Sequence, residues 1–209
     1  MKYMGSKAKH SKEIINAMEI ELGCSLSNWG SGNKDYVEPF VGGANMIDKI
    51  PNGFKIKRAN DINVHLIEMF KSIQNGWIPP DSVTEREYRH LMSKSDIYIT
   101  GIESALIGFV GIGCSYSGKW FGGYARGNAN NGEPRNYCLE SKKNLLKQDI
   151  KNIVFSHGNY YDLVFTSQSL IYCDPPYEGT TKYKDHFNHE RFWKWCEDRV
   201  LDGHKIFVS

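Results

Sequence analysis

The sequence predicts an α/β fold with a parallel sheet that is interrupted by a mostly helical insert. Two strand–helix units follow one another before residue 76, with short apolar strands and helices whose apolar residues recur every three to four positions. From residue 76 to residue 150, helical and glycine-rich sequence replaces this pattern. The pattern resumes after residue 150 with two strands, a helix and a further strand.

The first half contains the clearest local signals. Gly23 predicts the end of the first helix, and Asn63 is a candidate N-cap of the third. The predicted elements are, in order, a helix within 7–22, a strand at 35–40, a short helix through 46–50, a strand at 55–59 and a helix at 63–73. After the insert, the predicted elements are strands at 153–155 and 169–173, a helix at 189–201 and a strand at 205–208.

The insert is predicted to be helical from about residue 84 to residue 150, with a buried apolar helix at 102–112. Residues 113–132 form a long glycine-rich loop that carries four aromatic residues, and such loops inside compact domains are usually functional. Residues 117–151 carry a net charge of +4 in a chain whose total is +2. This basic segment suits a phosphate-facing surface, although a merely solvated face would have the same composition.

Composition limits the class of protein. At 209 residues, with 40% hydrophobic and 24% charged residues, the chain fits one soluble globular domain with an inserted subdomain. Five scattered cysteines without a C-x-x-C pair predict neither a disulfide framework nor a zinc knuckle. His186, His189 and Cys196 lack a second ligand pair, so we expect no metal. We also expect no signal peptide and no membrane segment, and therefore a cytoplasmic protein.

The tetrapeptide Asp174-Pro175-Pro176-Tyr177 is the most informative motif, because it directly follows an apolar strand. Two prolines remove two backbone donors and hold the chain extended, which leaves carbonyl groups free to accept hydrogen bonds. Asp174 adds a charged acceptor and Tyr177 a flat face. Together they suit a planar ring with an exocyclic amino group. The alternative is a strand that ends in a proline turn with a solvated aspartate.

Three further segments carry motifs. Glu38 to Asn45 places a glycine turn between a strand and a helix, but it lacks the G-x-G-x-x-G spacing of a dinucleotide site. Asp61 ends the next strand, where an acid commonly accepts hydrogen bonds from ribose hydroxyls, or alternatively caps a helix. The third segment is the N-terminal stretch from Lys2 to Lys7.

These motifs resemble, in content and order, those of the Dam-type (D12 class, D-P-P-Y) DNA adenine-N6 methyltransferases of bacteria and phages. The matching stretches are Tyr3–Lys7, Glu38–Gly43, Asn60–Asn63 and Tyr172–Tyr177. The resemblance implies a Rossmann-like S-adenosylmethionine-dependent methyltransferase sheet formed by residues 1–75 and 151–209, with residues 76–150 as a target-recognition insert. It also implies a bacterial cell or a phage-infected host as the location.

The resemblance assigns expected roles by position. The expected contacts of S-adenosylmethionine are Tyr3, Lys7, Phe40, Asp61 and Asp174. The expected catalytic residues are Asp174, Pro175, Pro176 and Tyr177. Asn159 falls where the family often carries a Gly-Asp-Phe-like segment near the cofactor adenine, but here an amide replaces the acid.

The chemistry of adenine agrees with these roles. Its N6 amine is a poor nucleophile, so acceptors such as Asp174 and the Pro175 carbonyl would hold its hydrogens and aim its lone pair at the methyl group. The base must be flipped out of duplex DNA, with Tyr177 stacking on it. Lys119 and Arg126 are the expected DNA contacts, aromatic residues of the insert would fill the gap left by the base, and the loop 178–187 would close over the target.

The end of the chain opposes this interpretation. The sequence stops within an apolar strand, whereas the family continues into more strands, including an antiparallel edge pair. We therefore expect a sheet without those C-terminal strands. The alternative is a truncated, catalytically inactive protein that binds nucleic acid or cofactor. RNA as the substrate and cytosine-N4 as the target are less favoured. The recognition sequence, oligomeric state and biological role stay open.

Overall fold

The computed structural model describes residues 3–130, 132–177 and 187–209. Within them, five parallel strands form one sheet. The strands are β1 (Asp35–Glu38), β2 (Lys57–Asp61), β3 (Ile153–His157), β4 (Ser169–Cys173) and β5 (Lys205–Val208). The sheet confirms the predicted α/β class and is compatible with a Rossmann-like methyltransferase fold.

The strand order β3-β2-β1-β4-β5 creates a switch point in the middle of the sheet. From β1 the chain continues to β2 on one side, while β4 pairs with β1 on the other side. Connections that leave two neighbouring strands in opposite directions open a crevice at their carboxyl ends, and ligands of open α/β sheets bind there. The residues after Glu38 and after Cys173 therefore border the crevice.

Seven α-helices surround this sheet in the described part of the chain. They are α1 (Ser11–Leu22), α2 (Leu26–Gly30), α3 (Val64–Gln74), α4 (Glu85–Met92), α5 (Gly101–Gly113), α6 (Tyr137–Leu145) and α7 (His189–Leu201). Two predicted boundaries are confirmed. Gly23 ends α1 in the left-handed conformation, with φ of 67°, and the Asn63 side chain accepts hydrogen bonds from the backbone of His65 and Leu66 at the start of α3.

Several boundaries differ from the prediction for local reasons. β1 ends at Glu38 rather than at residue 40, because Pro39 has no N–H group with which to continue a ladder. β2 begins and ends two residues later than predicted. The turn Ile47–Lys49 is a 3₁₀ helix. The five-residue helix α2 was not predicted, because so short a segment shows no apolar period.

The two faces of the sheet bury separate apolar clusters. Alternate strand residues point to opposite faces, so Tyr36 and Tyr172 lie in one cluster, while Ile171 and Cys173 lie in the other. The first and larger cluster combines residues of α3 with Phe109 of α5, so it extends from the sheet into the insert. The second cluster is covered by Phe192, Trp195 and Cys196 of α7.

The insert is attached through a very close contact between α5 and α3. A Cβ atom added at Gly108 would lie 2.1 Å from the carbonyl oxygen of His65. The imidazole of His65 is buried, and its Nδ1 lies 2.8 Å from Ser104 Oγ on α5. Burial lowers the pKa of His65, which keeps the ring neutral at physiological pH. Only glycine at position 108 allows the helices to approach this closely.

Gly108→Ala should therefore lower the free energy of unfolding by about 2 kcal/mol or more, as overpacking does in cores. Alanine favours an isolated helix by up to about 1 kcal/mol over glycine, so a purely local effect would have the opposite sign. Gly113→Ala is the matched control on the same helix, since its Cβ would first meet the Ser141 side chain at 3.0 Å. Urea unfolding of both variants measures the difference, and equal stability of the two would contradict the packing account.

Candidate active site

The carboxylate of Asp174 is the centre of a hydrogen-bonded cluster at the carboxyl end of β4. Lys7 Nζ lies 2.6 Å from Asp174 Oδ1 and 2.6 Å from Tyr177 Oη. Tyr177 Oη and Ser209 Oγ each donate to the same Oδ1 atom at 3.3 Å. The structure thus brings together three residues that the sequence places in two distant motifs, namely Lys7, Asp174 and Tyr177. The fourth member, Ser209, was not among the predicted site residues.

The ammonium group of Lys7 is partly shielded from solvent in this cluster. Burial alone would lower the pKa of Lys7, but the hydrogen bonds and charge interactions with Asp174 and Tyr177 outweigh it and raise the pKa. Lys7 Nζ lies 5.0 Å from the centre of the Tyr177 ring, on the side of its hydroxyl. The Tyr177 ring itself is 50% exposed, so it is accessible to a planar ligand.

The N-terminal segment crosses the glycine turn that follows β1. A Cβ atom at Gly42 would lie 2.8 Å from Tyr3 Cε1, and one at Gly43 would lie 2.8 Å from Tyr3 Cβ. Gly42 also has φ of 49°, in the left-handed region. The two glycines therefore leave the space in which Tyr3 lies. This contact places Tyr3 in the crevice beside the carboxyl end of β1, four residues before Lys7.

Asp61 joins the glycine turn to the end of β2. Its Oδ2 accepts from Gly42 N at 2.8 Å, and its Oδ1 accepts from Asn63 N at 2.9 Å. Burial raises the pKa of this carboxyl, while the backbone donors act in the opposite direction. Asp61 therefore supports the turn before α3, whereas the cap of that helix is Asn63. The contact of Asp61 with a ribose stays a prediction. A carboxylate retains acceptor capacity beyond these two bonds.

Phe40 belongs to an aromatic cluster on the side of the crevice next to α7. Its ring centre lies 5.1 Å from that of Tyr160 and 5.8 Å from those of Phe187 and Phe192. Asn159 precedes Tyr160 and is half-buried after the end of β3. Phe40 is thus part of an aromatic cluster, and Asn159 lies at the same edge of the sheet. The cofactor contacts of both residues stay predictions.

Two acidic residues of the cleft differ in environment. Glu38 is only 3% exposed and accepts a hydrogen bond from Tyr36 Oη at 2.9 Å. Burial raises the pKa of Glu38 well above its ordinary value, and the Tyr36 hydrogen bond opposes this only partly. Asp174, by contrast, has an ammonium group in contact. Charge at the carboxyl end of β4 is therefore compensated by a neighbouring cation, whereas charge at the end of β1 is disfavoured.

The insert approaches this site through its glycine-rich loop. Met4 N donates to Gly118 O at 3.0 Å, which connects the loop to the N-terminal segment. Trp120, Phe121 and Tyr124 pack against the main core, whereas Tyr116 is 70% exposed. Lys119 is half-buried next to Gly122. Among the aromatic residues of this loop, Tyr116 is the exposed one.

Arg126 lies on the outer surface of the insert, where its guanidinium forms an ion pair with Glu85. Glu85 also accepts from Arg89 at 2.7 Å. Hydrogen bonds from both arginines lower the pKa of the Glu85 carboxyl, so the pair is charged at neutral pH. A phosphate or a base would have to compete with Glu85 for Arg126.

Sequence reasoning missed Ser209 and the hydroxyl of Tyr172, which donates to Ser209 Oγ at 3.0 Å. The available signal was position, because Ser209 follows a predicted parallel strand and must lie at the same sheet edge as Asp174. The predicted closing loop at 178–187 lies outside the described residues except for Phe187. Within the described ranges, no group of three or more His, Cys, Asp or Glu side chains could hold a metal, and no helix could span a membrane.

Residues 3–100 match the family model described as D12 class N6 adenine-specific DNA methyltransferase. The match covers three of the four motifs on which the resemblance depends, and it supports an adenine-specific DNA methyltransferase. No curated protein matches the chain.

Lys7→Met should remove a pH-dependent part of the stability. Because the pKa of Lys7 is raised in the folded protein, its stabilising contribution is complete below the unfolded value of 10.5 and is lost as the pH rises through the folded value. We expect the wild-type protein to exceed Lys7→Met by roughly 1 kcal/mol at about pH 8, a value reduced by solvent screening. The difference should shrink at about pH 11.

Urea unfolding at both pH values measures this effect. Lys12→Met, which removes an exposed lysine of α1, is the control and should show no such change. A stability difference between the wild-type protein and Lys7→Met that stays constant with pH would contradict the ion pair.

Proposed function

We propose that this chain is a D12-class methyltransferase, which transfers a methyl group from S-adenosylmethionine to adenine N6 in duplex DNA. The match of residues 3–100 to that family supports the proposal. The observation that carries the proposal is the cluster of Lys7, Asp174 and Tyr177 beside the switch-point crevice. It combines a charged acceptor, a cation that holds it and an accessible ring. Such groups can bind an aromatic amine, because the acceptor takes its N–H hydrogen bonds and the ring stacks on its base.

Asp174 is proposed to accept a hydrogen bond from the N6 amine, and the Pro175 carbonyl to accept the second. The amine lone pair, which is conjugated with the ring in free adenine, then points out of the ring plane. Lys7 stabilises the carboxylate, so that Asp174 binds the amine as an acceptor. This arrangement acts mainly by positioning, and no covalent enzyme intermediate is needed.

The residues of the crevice fit S-adenosylmethionine. Asp61 has acceptor capacity for ribose hydroxyls, and Phe40 offers an apolar wall. Beside the end of β2, a Cβ atom at Gly158 would meet nothing within 4 Å, which leaves open space there. When bound, the cofactor supplies an electrophilic methyl group on sulfur. Tyr3 and Lys7 would border it from the N-terminal segment. As the new N–C bond formed, the methyl–sulfur bond would break and leave a neutral thioether, and one amine proton would pass to solvent.

The insert is proposed to bind the duplex. We assign residues 76–150 to target recognition and residues 1–75 and 151–209 to catalysis. Tyr116 is exposed and lies in the loop that contacts the N-terminal segment at Gly118, so it is the candidate to fill the gap left by the flipped adenine. Tyr177 would stack on the flipped base. Lys119 and Arg126 would contact phosphate or guanine, and Arg126 would first leave Glu85.

Asp174→Ala should lower methyl transfer by at least about 100-fold, because it removes the acceptor aimed at the amine. The measurement is incorporation of labelled methyl groups into unmethylated duplex DNA, with N6-methyladenine identified in the digest. Asp198→Ala, which removes a half-exposed aspartate of α7 paired with Lys194, is the control and should retain full activity. Unchanged turnover in Asp174→Ala would disprove the catalytic role, provided that both variants show wild-type circular dichroism.

Tyr116→Ala should reduce transfer to a fully paired duplex by about tenfold, the range of one lost stacking contact. The defect should be smaller when the target adenine lies opposite an abasic site, because such a base is already unpaired. Tyr98→Ala is a matched control, since Tyr98 is 69% exposed and Tyr116 is 70% exposed. An equal defect on both substrates would contradict a role in base flipping.

A further inference from the structure

A hydrogen-bonded relay reaches Asp174 from the interior of the sheet. Tyr172 Oη donates to Ser209 Oγ at 3.0 Å, and Ser209 Oγ donates to Asp174 Oδ1 at 3.3 Å. We infer that Ser209, supported by Tyr172, is a positioning residue that fixes the orientation of the Asp174 carboxylate. The expected effect of Ser209 on the reaction rate rests on the proposed methyl transfer. Its effect on the orientation of the Asp174 carboxylate does not depend on that activity.

The sheet register explains why these three residues meet. Tyr172 and Asp174 are two positions apart along β4 and its extension, so their side chains leave the same face. Tyr172 is paired with Phe207, and Cys173 with Val208, which brings the residue that follows β5 beside Asp174. Ser209 N then donates to Cys173 O at 3.0 Å. A ladder hydrogen bond therefore holds the Ser209 backbone at the height of the carboxylate.

The direction of the relay follows from the environment of Tyr172. Its side chain is only 3% exposed, and burial raises the pKa of the phenol, so that the hydroxyl keeps its proton at neutral pH. A protonated phenol donates to Ser209 Oγ, whose own proton is then available for Asp174. Linked donors of this kind strengthen one another.

Ser209 differs from the other two donors to Asp174 Oδ1 in how firmly it is held. Lys7 reaches the carboxylate through a long flexible side chain, and the Tyr177 ring is half-exposed and is proposed to stack on the base. Tyr177 would change partners when a base enters, and Lys7, although it stays with the carboxylate, does not fix its orientation. Ser209 has a one-carbon side chain, and its backbone N–H is bonded to Cys173 O directly after β5. Because the terminal torsion of aspartate is broad, one fixed donor is enough to select its orientation.

The test compares Ser209→Ala, Ser209→Thr and Tyr172→Phe with the wild-type chain. Ser209→Ala should lower kcat about three- to tenfold, the effect of losing one hydrogen bond, here a long one of 3.3 Å, with little change in KM for DNA. Ser209→Thr keeps the hydroxyl and should restore most of kcat. Tyr172→Phe should lower kcat in the wild-type background, but add little to Ser209→Ala. Ser93→Ala, which changes an exposed serine after α4, should have no effect.

Wild-type kcat in Ser209→Ala, or additive effects of the two substitutions, would overturn the relay. Crystal structures of the wild-type chain and Ser209→Ala provide a readout without activity. We expect one carboxylate orientation at Asp174 in the former and a rotated or split one in the latter. If the wild-type chain transfers no methyl group, the proposed function fails. In that case an identical, ordered Asp174 in both structures would overturn the positioning role, and a reoriented one would support it.

Discussion

The contact between Lys7 and Asp174 is the interaction on which the site depends. It joins the N-terminal segment to the carboxyl end of β4 with a separation of 2.6 Å, and the Tyr3 ring lies on the glycine turn after β1 in the same segment. The N-terminal segment thus contacts the carboxyl ends of both β1 and β4, the two strands of the switch point. Without this contact, the carboxylate would be left in a half-buried crevice with weaker charge compensation. Tyr177 Oη would also lose the hydrogen bond from Lys7.

The same segment connects the insert loop to the Asp174 cluster. Met4 bonds to the insert loop at Gly118, and Lys7 bonds to Asp174 only three residues later. The insert in turn packs on α3 through Gly108, so its position relative to the sheet is fixed by a backbone contact. Under the proposed function, the loop that faces DNA would thus be bonded to the segment that holds Asp174.

Much of this arrangement follows from the sequence, because strand ends can be located from local patterns. Asp61 and Asp174 each follow an apolar strand, and parallel strands bring their carboxyl ends to one edge. The partners of charged side chains do not follow in this way. For example, Arg126 pairs with Glu85 because α4 packs next to the glycine-rich loop of the insert, and the sequence does not show this packing. Ser209 was within reach of prediction, since it comes directly after a predicted strand, but its partner Tyr172 points into the core and reads as an ordinary apolar position.

The most direct test of the account is a crystal structure of the chain with a non-reactive analogue of S-adenosylmethionine and a methylatable duplex. The account predicts the adenine outside the helix, with N6 about 2.7–3.2 Å from the Asp174 carboxylate. It also predicts the analogue in the crevice between the glycine turn and Asp61. An adenine that stays stacked in the duplex, or an N6 atom beyond hydrogen-bonding distance of Asp174 with the analogue bound, would contradict the central claim.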